Sequence, residues 1–255
     1  MSVRNGATLA VGMLVLTVAR LAGVPAGDQM LGESIVSAGK QRTYRVFIPD
    51  SFGKNGPAAA VVLFNGSGSD VDGLMDPWKT VARADGVMLI APGAFERGAW
   101  RIPEDSPDFT AEVVEALKAK YPIDPRRVYL AGHSGGAGHV LLLGLLESEY
   151  FAAVAAHASA LRPSDTQVID IAKRKIPMGI WIGTKDEMVP VQAARETLAI
   201  LKSRGFPAKL TELPGHAHSY AERAKQVTAE SWEFLRKEAL RDDPRYVRYP
   251  FNRPK

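Results

Sequence analysis

The sequence predicts an α/β fold with a mostly parallel central sheet, helices on both faces and no large lid. Three observations predict it. AAAVVLF (58–64), VMLIAP (87–92) and IPMGIWIG (176–183) are continuous apolar runs of strand length, the pattern of strands covered on both faces. Between such runs stand amphipathic stretches with helical spacing, so strand and helix alternate along the chain. Within RRVYLAGHSGGAGHVLLLGLL (126–146) the apolar period changes from two to about 3.6 at Ser134, so a strand turns directly into a helix there. Parallel strands need crossover helices, which cover both faces and leave ligand sites at the carboxyl ends of the strands.

The elements follow in order. Residues 43–48 alternate polar and apolar and stop at Pro49; 58–64 and 87–92 are buried strands. Ser106 is an N-cap with Pro107 at the first helical position, and Phe109, Val113, Val114, Leu117 and Tyr121 share one side of that helix. A strand over 127–132 leads through the serine turn into a helix over 135–150. Strands over 151–158 and 176–183 follow, then a helix over 190–204 that stops at Gly205. A last strand over 208–213 and a last helix over 221–240 complete the pattern. Only SALRPSDTQVIDIAKR separates the strands at 151–158 and 176–183, too little for a large helical lid.

Composition narrows the chemistry. The chain has 255 residues, 46% of them hydrophobic and 24% charged, enough for one substantial core. It has no cysteine, which removes disulfides, thiolate catalysis and cysteine-based metal centres. The formal charge of +4 is carried by Arg245, Arg248, Arg253 and Lys255 in a tail with no acid after Asp243; without them the chain is neutral. No nucleic-acid surface is therefore expected on the body. Residues 1–26 read as an export signal: Arg4, an apolar run over 7–19 too short for a comfortable span, then Val24-Pro25-Ala26 as a small-residue cleavage site or Thr17-Val18-Ala19 as an earlier one, with an uncleaved anchor or an ordinary first helix as the alternatives. The expected organisation is this leader, a catalytic domain over 27–243 and a basic tail over 244–255. Export to the periplasm or medium is expected, with no stable membrane span in the mature chain; a cytoplasmic or N-terminally anchored protein is the alternative.

Gly132-His133-Ser134-Gly135-Gly136 fits G-x-S-x-G, where glycines let strand and helix backbones close in and lift a strained serine above the sheet. A serine hydroxyl needs a base to take its proton and an acid to orient that base, here in the chain order serine, acid, histidine. His133, His139 and His157 come too early, which leaves His216 and His218 in LPGHAHSYAERA. His218, farther along the loop and directly before Ser-Tyr, is the preferred base, with His216 as the alternative and then a pocket residue. Asp186 in WIGTKDEMVP stands at the end of a buried strand and is the preferred acid over Glu187 and Asp165. VVLFNGSGSD opens into Asn65, Gly66, Ser67 and Gly68, whose bare backbone can meet the Gly135 amide as a second oxyanion donor. Asn65, His133 and Trp100 are further pocket residues, Trp100 dividing between pocket wall and core. The glycine loop lacks the G-x-x-x-x-G-K-[ST] spacing of phosphate binders. His216 and His218 have no third metal ligand nearby, so neither metal nor organic cofactor is expected.

VVLFNGSGSD, KYPIDPRRVYLAGHSGGA, IGTKDEMVP and PGHAHSY, in this order over residues 43–240, resemble the α/β-hydrolases, and among them exported esterases of the poly(3-hydroxybutyrate) depolymerase and feruloyl esterase type. The resemblance implies Ser134, Asp186 and His218 as a triad that cleaves a small or oligomeric carboxylic ester through an acyl-enzyme. Asn65 stands where many relatives carry histidine, and their polymer or aryl substrate is not implied. A peptidase of the same fold, or a non-catalytic binding protein built on it, are the competing expectations.

Overall fold

The computed structural model describes residues 27–96 and 98–249. The expected leader over 1–26 and the last six residues of the tail lie outside them. One eight-stranded sheet runs through the molecule in the order β1-β2-β4-β3-β5-β6-β7-β8. Its strands are β1 (Gln29–Ser37), β2 (Lys40–Ile48), β3 (Ala58–Phe64), β4 (Met88–Pro92), β5 (Ile123–His133), β6 (Val154–His157), β7 (Met178–Gly183) and β8 (Ala208–Leu213). β2 pairs antiparallel with both β1 and β4, and every other pairing is parallel. The helices are α1 (Val71–Asp85), α2 (Pro107–Lys118), α3 (Gly135–Leu146), α4 (Val191–Ser203) and α5 (Tyr220–Leu235).

The two faces of the sheet bury separate cores, because successive side chains on a strand point to opposite sides. On β5, Val128 and Leu130 join α2, α3 and α4 in one core, while Tyr129 and Ala131 join α1 and α5 in the other. The helices are thus divided over both faces as the apolar runs require. α3 has no polar stripe: it lies against the sheet and the 3₁₀ segment Pro163–Ile171, and Val140, Leu141, Leu143 and Leu145 are all fully buried.

The structure departs from the sequence pattern at β1, at α1 and at the ends of several elements. β1 has no predicted counterpart: it is an edge strand with only one partner, its inner residues are only half-buried, and the turn to β2 uses Ala38 and Gly39, both at positive φ. α1 also has none, since Gly73 and Pro77 break its helical reading. Capping secures it nonetheless: Asp70 accepts the Asp72 amide, and Gly86 closes the far end at φ 66°. The helices expected over 135–150 and 221–240 stop early, at Leu146 and Leu235, and the strand expected over 151–158 shrinks to Val154–His157.

The described part of the tail lies along the body. The Arg245 amide donates to the Glu149 carbonyl (3.0 Å), the Val247 amide to Glu147 Oε2 (3.1 Å) and the Tyr249 hydroxyl to the Leu146 carbonyl (3.0 Å). Among the described residues no helix is long and apolar enough to cross a membrane.

Candidate active site

Ser134 stands between the last residue of β5 and the first of α3 with φ 52° and ψ −119°. A residue with a Cβ is strained there by roughly 1–3 kcal/mol, so surrounding bonds must hold it. The Ser134 amide donates to the His157 carbonyl at the end of β6 (2.9 Å), and the Gly138 amide donates to the Ser134 carbonyl (3.0 Å). The flanking glycines are required by backbone contact. A Cβ on Gly132 would stand 2.6 Å from the Gly136 carbonyl oxygen, and one on Gly136 would strike the carbonyls of Phe64 and Asn65. Since those atoms belong to fixed backbone, Gly136→Ala is expected to cost about 3 kcal/mol. Chemical denaturation would measure it, and a wild-type midpoint would show that the turn can move.

Asp186 follows β7, and its carboxylate is fully enclosed. Oδ1 accepts the amides of Met188 (2.9 Å) and Val189 (2.8 Å), which fixes the plane of the group. The loop after β8 carries His218. It is tied to the acid loop by Gly215 N–H to Thr184 Oγ1 (2.8 Å) and Lys185 N–H to the His216 carbonyl (2.9 Å). His218 Nδ1 lies 2.9 Å from both Asp186 oxygens, and Nε2 lies 2.8 Å from Ser134 Oγ. An ionised carboxylate can only accept, so Nδ1 carries the proton and the Nε2 lone pair faces the hydroxyl. That is the arrangement in which an imidazole can take the serine proton.

The other sequence candidates fall elsewhere. Glu187 is exposed, and Asp165 pairs with Arg162 on the 3₁₀ segment. His216, expected at the pocket edge, is 1% exposed: its loop turns inward against Gly183, leaving no room for a Cβ there, and its Nε2 meets His157 Nε2 at 3.1 Å. His133 is half-buried beside His218, with ring centroids 5.3 Å apart.

Gly135 opens α3, so its amide has no acceptor within the helix. The Asn65–Asp70 loop folds over it: a Cβ on Gly135 would meet Ser67, and one on Gly66 would stand 3.0 Å from His133 Cδ2 and 3.4 Å from Ser134 Cβ. Only glycine lets this loop come so near the serine. Asn65 braces the loop from within through Nδ2 to the Ser69 carbonyl (2.7 Å), and its own carbonyl accepts Trp100 Nε1–H (2.8 Å). Trp100 stacks on His139 and meets Phe64 edge-on, so it packs on the core and borders a cavity of about 500 Å³ at the same time. Tyr44, Arg45, Asn65, Ser67 and Asp70 line the same cavity. Among the described residues no cluster of three or more histidines and carboxylates could hold a metal ion.

Residues 13–239 match the model of the dienelactone hydrolase family. The chain belongs to that family. It is similar to a poly(3-hydroxybutyrate) depolymerase of Ralstonia pickettii, 32% identical over 41% of this chain and 26% of that protein. It is also similar to a bifunctional acetylxylan esterase/xylanase of Neocallimastix patriciarum, 26% identical over 60% of this chain and 23% of that protein. The chain thus spans about a quarter of the length of these relatives. Among solved structures a ferulic acid esterase superposes with a TM-score of 0.65 at 17% identity, covering 82% of this chain and 98% of that one, which shows the α/β-hydrolase fold.

This member of the dienelactone hydrolase family encloses three further histidines, His133, His139 and His157. Burial, then the nearby His218 ring, pushes the His133 imidazole down to about 4; burial, then His133, pushes His157 to about 2; burial, then Arg162, pushes His139 to about 3. In the sequence His139 and His157 stand only as histidines too early in the chain for the base. A histidine at the carboxyl end of the strand beside β5 was the available sign for His157, and the apolar run around it hid it. All three rings bind a proton more readily unfolded, where imidazole titrates near 6.5. Stability is therefore complete above that pH and falls below it, by up to about 1.4 kcal/mol per pH unit for each ring, the loss levelling off near about 4 for His133, about 3 for His139 and about 2 for His157. A melting temperature unchanged between pH 7 and 5 would contradict this.

Proposed function

We propose that this protein is a serine esterase that cleaves carboxylic esters through an acyl-enzyme. The observation that carries the reading is the continuous path of hydrogen bonds from Asp186 through His218 to Ser134 Oγ. Ser134 Oγ attacks the ester carbonyl while its proton passes to His218 Nε2, and Asp186 stabilises the imidazolium. The negative oxygen is received by the Gly135 amide and an amide of the Gly66–Ser67 stretch. As the bond to the alcohol breaks, His218 returns the proton to the departing oxygen. Water then repeats the sequence on the acyl-serine, its proton going to His218 and back to Ser134.

Ser134 and His218 are both partly open to solvent, and only a 3₁₀ segment crosses between β6 and β7, which favours soluble or oligomeric esters over buried lipid. Export belongs to the same reading: residues 1–26 act as the leader, and the protein works outside the cytoplasm.

A fluorophosphonate probe tests the chemistry. Capture at Ser134 is expected, together with turnover of short p-nitrophenyl esters and none of matched peptide anilides. Preferential cleavage of the anilides would make it a peptidase, and well-folded protein that takes no label would be a binding protein.

A further inference from the structure

Four of the five histidines gather in one cluster, and the proposed reaction uses only His218. The remaining three are joined to one another. His133 Nδ1 meets His157 Nδ1 at 2.9 Å, and His157 Nε2 meets His216 Nε2 at 3.1 Å. A neutral imidazole has one N–H and one lone pair, so His157 donates at one nitrogen and accepts at the other, and both bonds run in the same direction. Glu222 selects that direction. Its Oε2 lies 3.4 Å from His216 Nδ1, a buried atom with no hydrogen bond, and an anion there favours N–H over a lone pair. His216 Nε2 then accepts from His157, and His157 Nδ1 accepts from His133. The other groups facing the chain include Tyr220, against both His133 and His157, His218, whose ring lies 5.3 Å from that of His133, and Asp186, whose charge acts on His133.

This chain ties together the three segments that hold the reacting groups. The His157 carbonyl accepts the Ser134 amide while its ring holds His133, the neighbour of Ser134. The His216 carbonyl accepts the amide of Lys185, next to Asp186, and His216 lies two residues before His218. We propose that His157 is a positioning residue, which through His133 and His216 keeps the Ser134 turn and the His218 ring in register for proton transfer. The proposal rests on the esterase reading above.

Substituted amides test it, because asparagine places a donor and an acceptor near the Nδ1 position and glutamine near the Nε2 position. His157→Leu is expected to lower kcat roughly tenfold to a hundredfold with KM little changed, the scale of a misplaced reacting group. His157→Asn should restore most of that loss by holding His133, and His157→Gln should not. A packing role alone would instead make kcat follow melting temperature across the three variants. If the leucine variant does not fold, the asparagine and glutamine pair decides. In Ser134→Ala protein with ¹⁵N-labelled histidine, nitrogen–nitrogen couplings across both imidazole hydrogen bonds are expected, whatever the activity. Missing couplings, or three variants at wild-type kcat, would overturn the role of His157 while fluorophosphonate capture by the wild type left the esterase intact. A wild type that takes no label would overturn the esterase itself, and this role with it.

Discussion

Ser134→Ala is expected to lower kcat on p-nitrophenyl acetate by about 10⁶-fold and to abolish fluorophosphonate capture. The size follows from losing the attacking atom itself, since His218 and Asp186 then have nothing to activate. Melting temperature should change little, because the half-buried hydroxyl makes its one side-chain hydrogen bond to His218. Ser134→Gly offers a second reading of the same site. The backbone there sits at φ 52°, which glycine adopts freely, so this variant should be equally inactive yet about 1 kcal/mol more stable than Ser134→Ala. Turnover near the wild-type rate in either variant would remove Ser134 from the chemistry. Equal stability of the two would mean that the turn carries no strain.

Asp186→Asn should lower kcat by about 10⁴-fold with the fold intact. The amide oxygen can still accept the Met188 and Val189 amides, so the loop keeps its shape. The NH₂ takes the place of Oδ2, 2.9 Å from His218 Nδ1, and the remaining oxygen, already shared by two amides, is neutral. The NH₂ donor favours the imidazole with its proton on Nε2, which meets the serine hydroxyl as a donor, and no carboxylate charge is left to stabilise the imidazolium. Initial rates at saturating ester would show the loss, and unchanged circular dichroism would show that it is not unfolding. An asparagine variant within tenfold of wild type would mean that Asp186 does not set the tautomer.

The places of both residues were legible in the sequence because each stands where a strand ends, which apolar periodicity marks clearly. The buried strands β3, β4 and β7 are continuous apolar runs, and the G-x-S-x-G turn is fixed by backbone contacts that only glycine permits. The preference for His218 over His216 rested on position within a short loop. What separates the two rings is tertiary: the fit of the His216 carbonyl against Gly183 turns one inward and leaves the other facing Ser134. β1 and α1 were not legible. An edge strand lacks the two-sided burial that produces a continuous run, and α1 owes its stability to caps and to Leu74, Met75 and Trp78 packed on the sheet, despite an internal proline. The histidine chain was beyond pattern reading, since its members are 24 and 59 residues apart and meet only once β5, β6 and the loop after β8 lie side by side.

Of the elements described, only the 3₁₀ segment Pro163–Ile171 stands in the crossing between β6 and β7. β6 ends at His157, whose carbonyl accepts the Ser134 amide, so residues added after it would start beside the proposed nucleophile. If the esterase reading holds, substrate range could be reshaped by grafting at this one junction, the sheet serving as a chassis for interchangeable roofs.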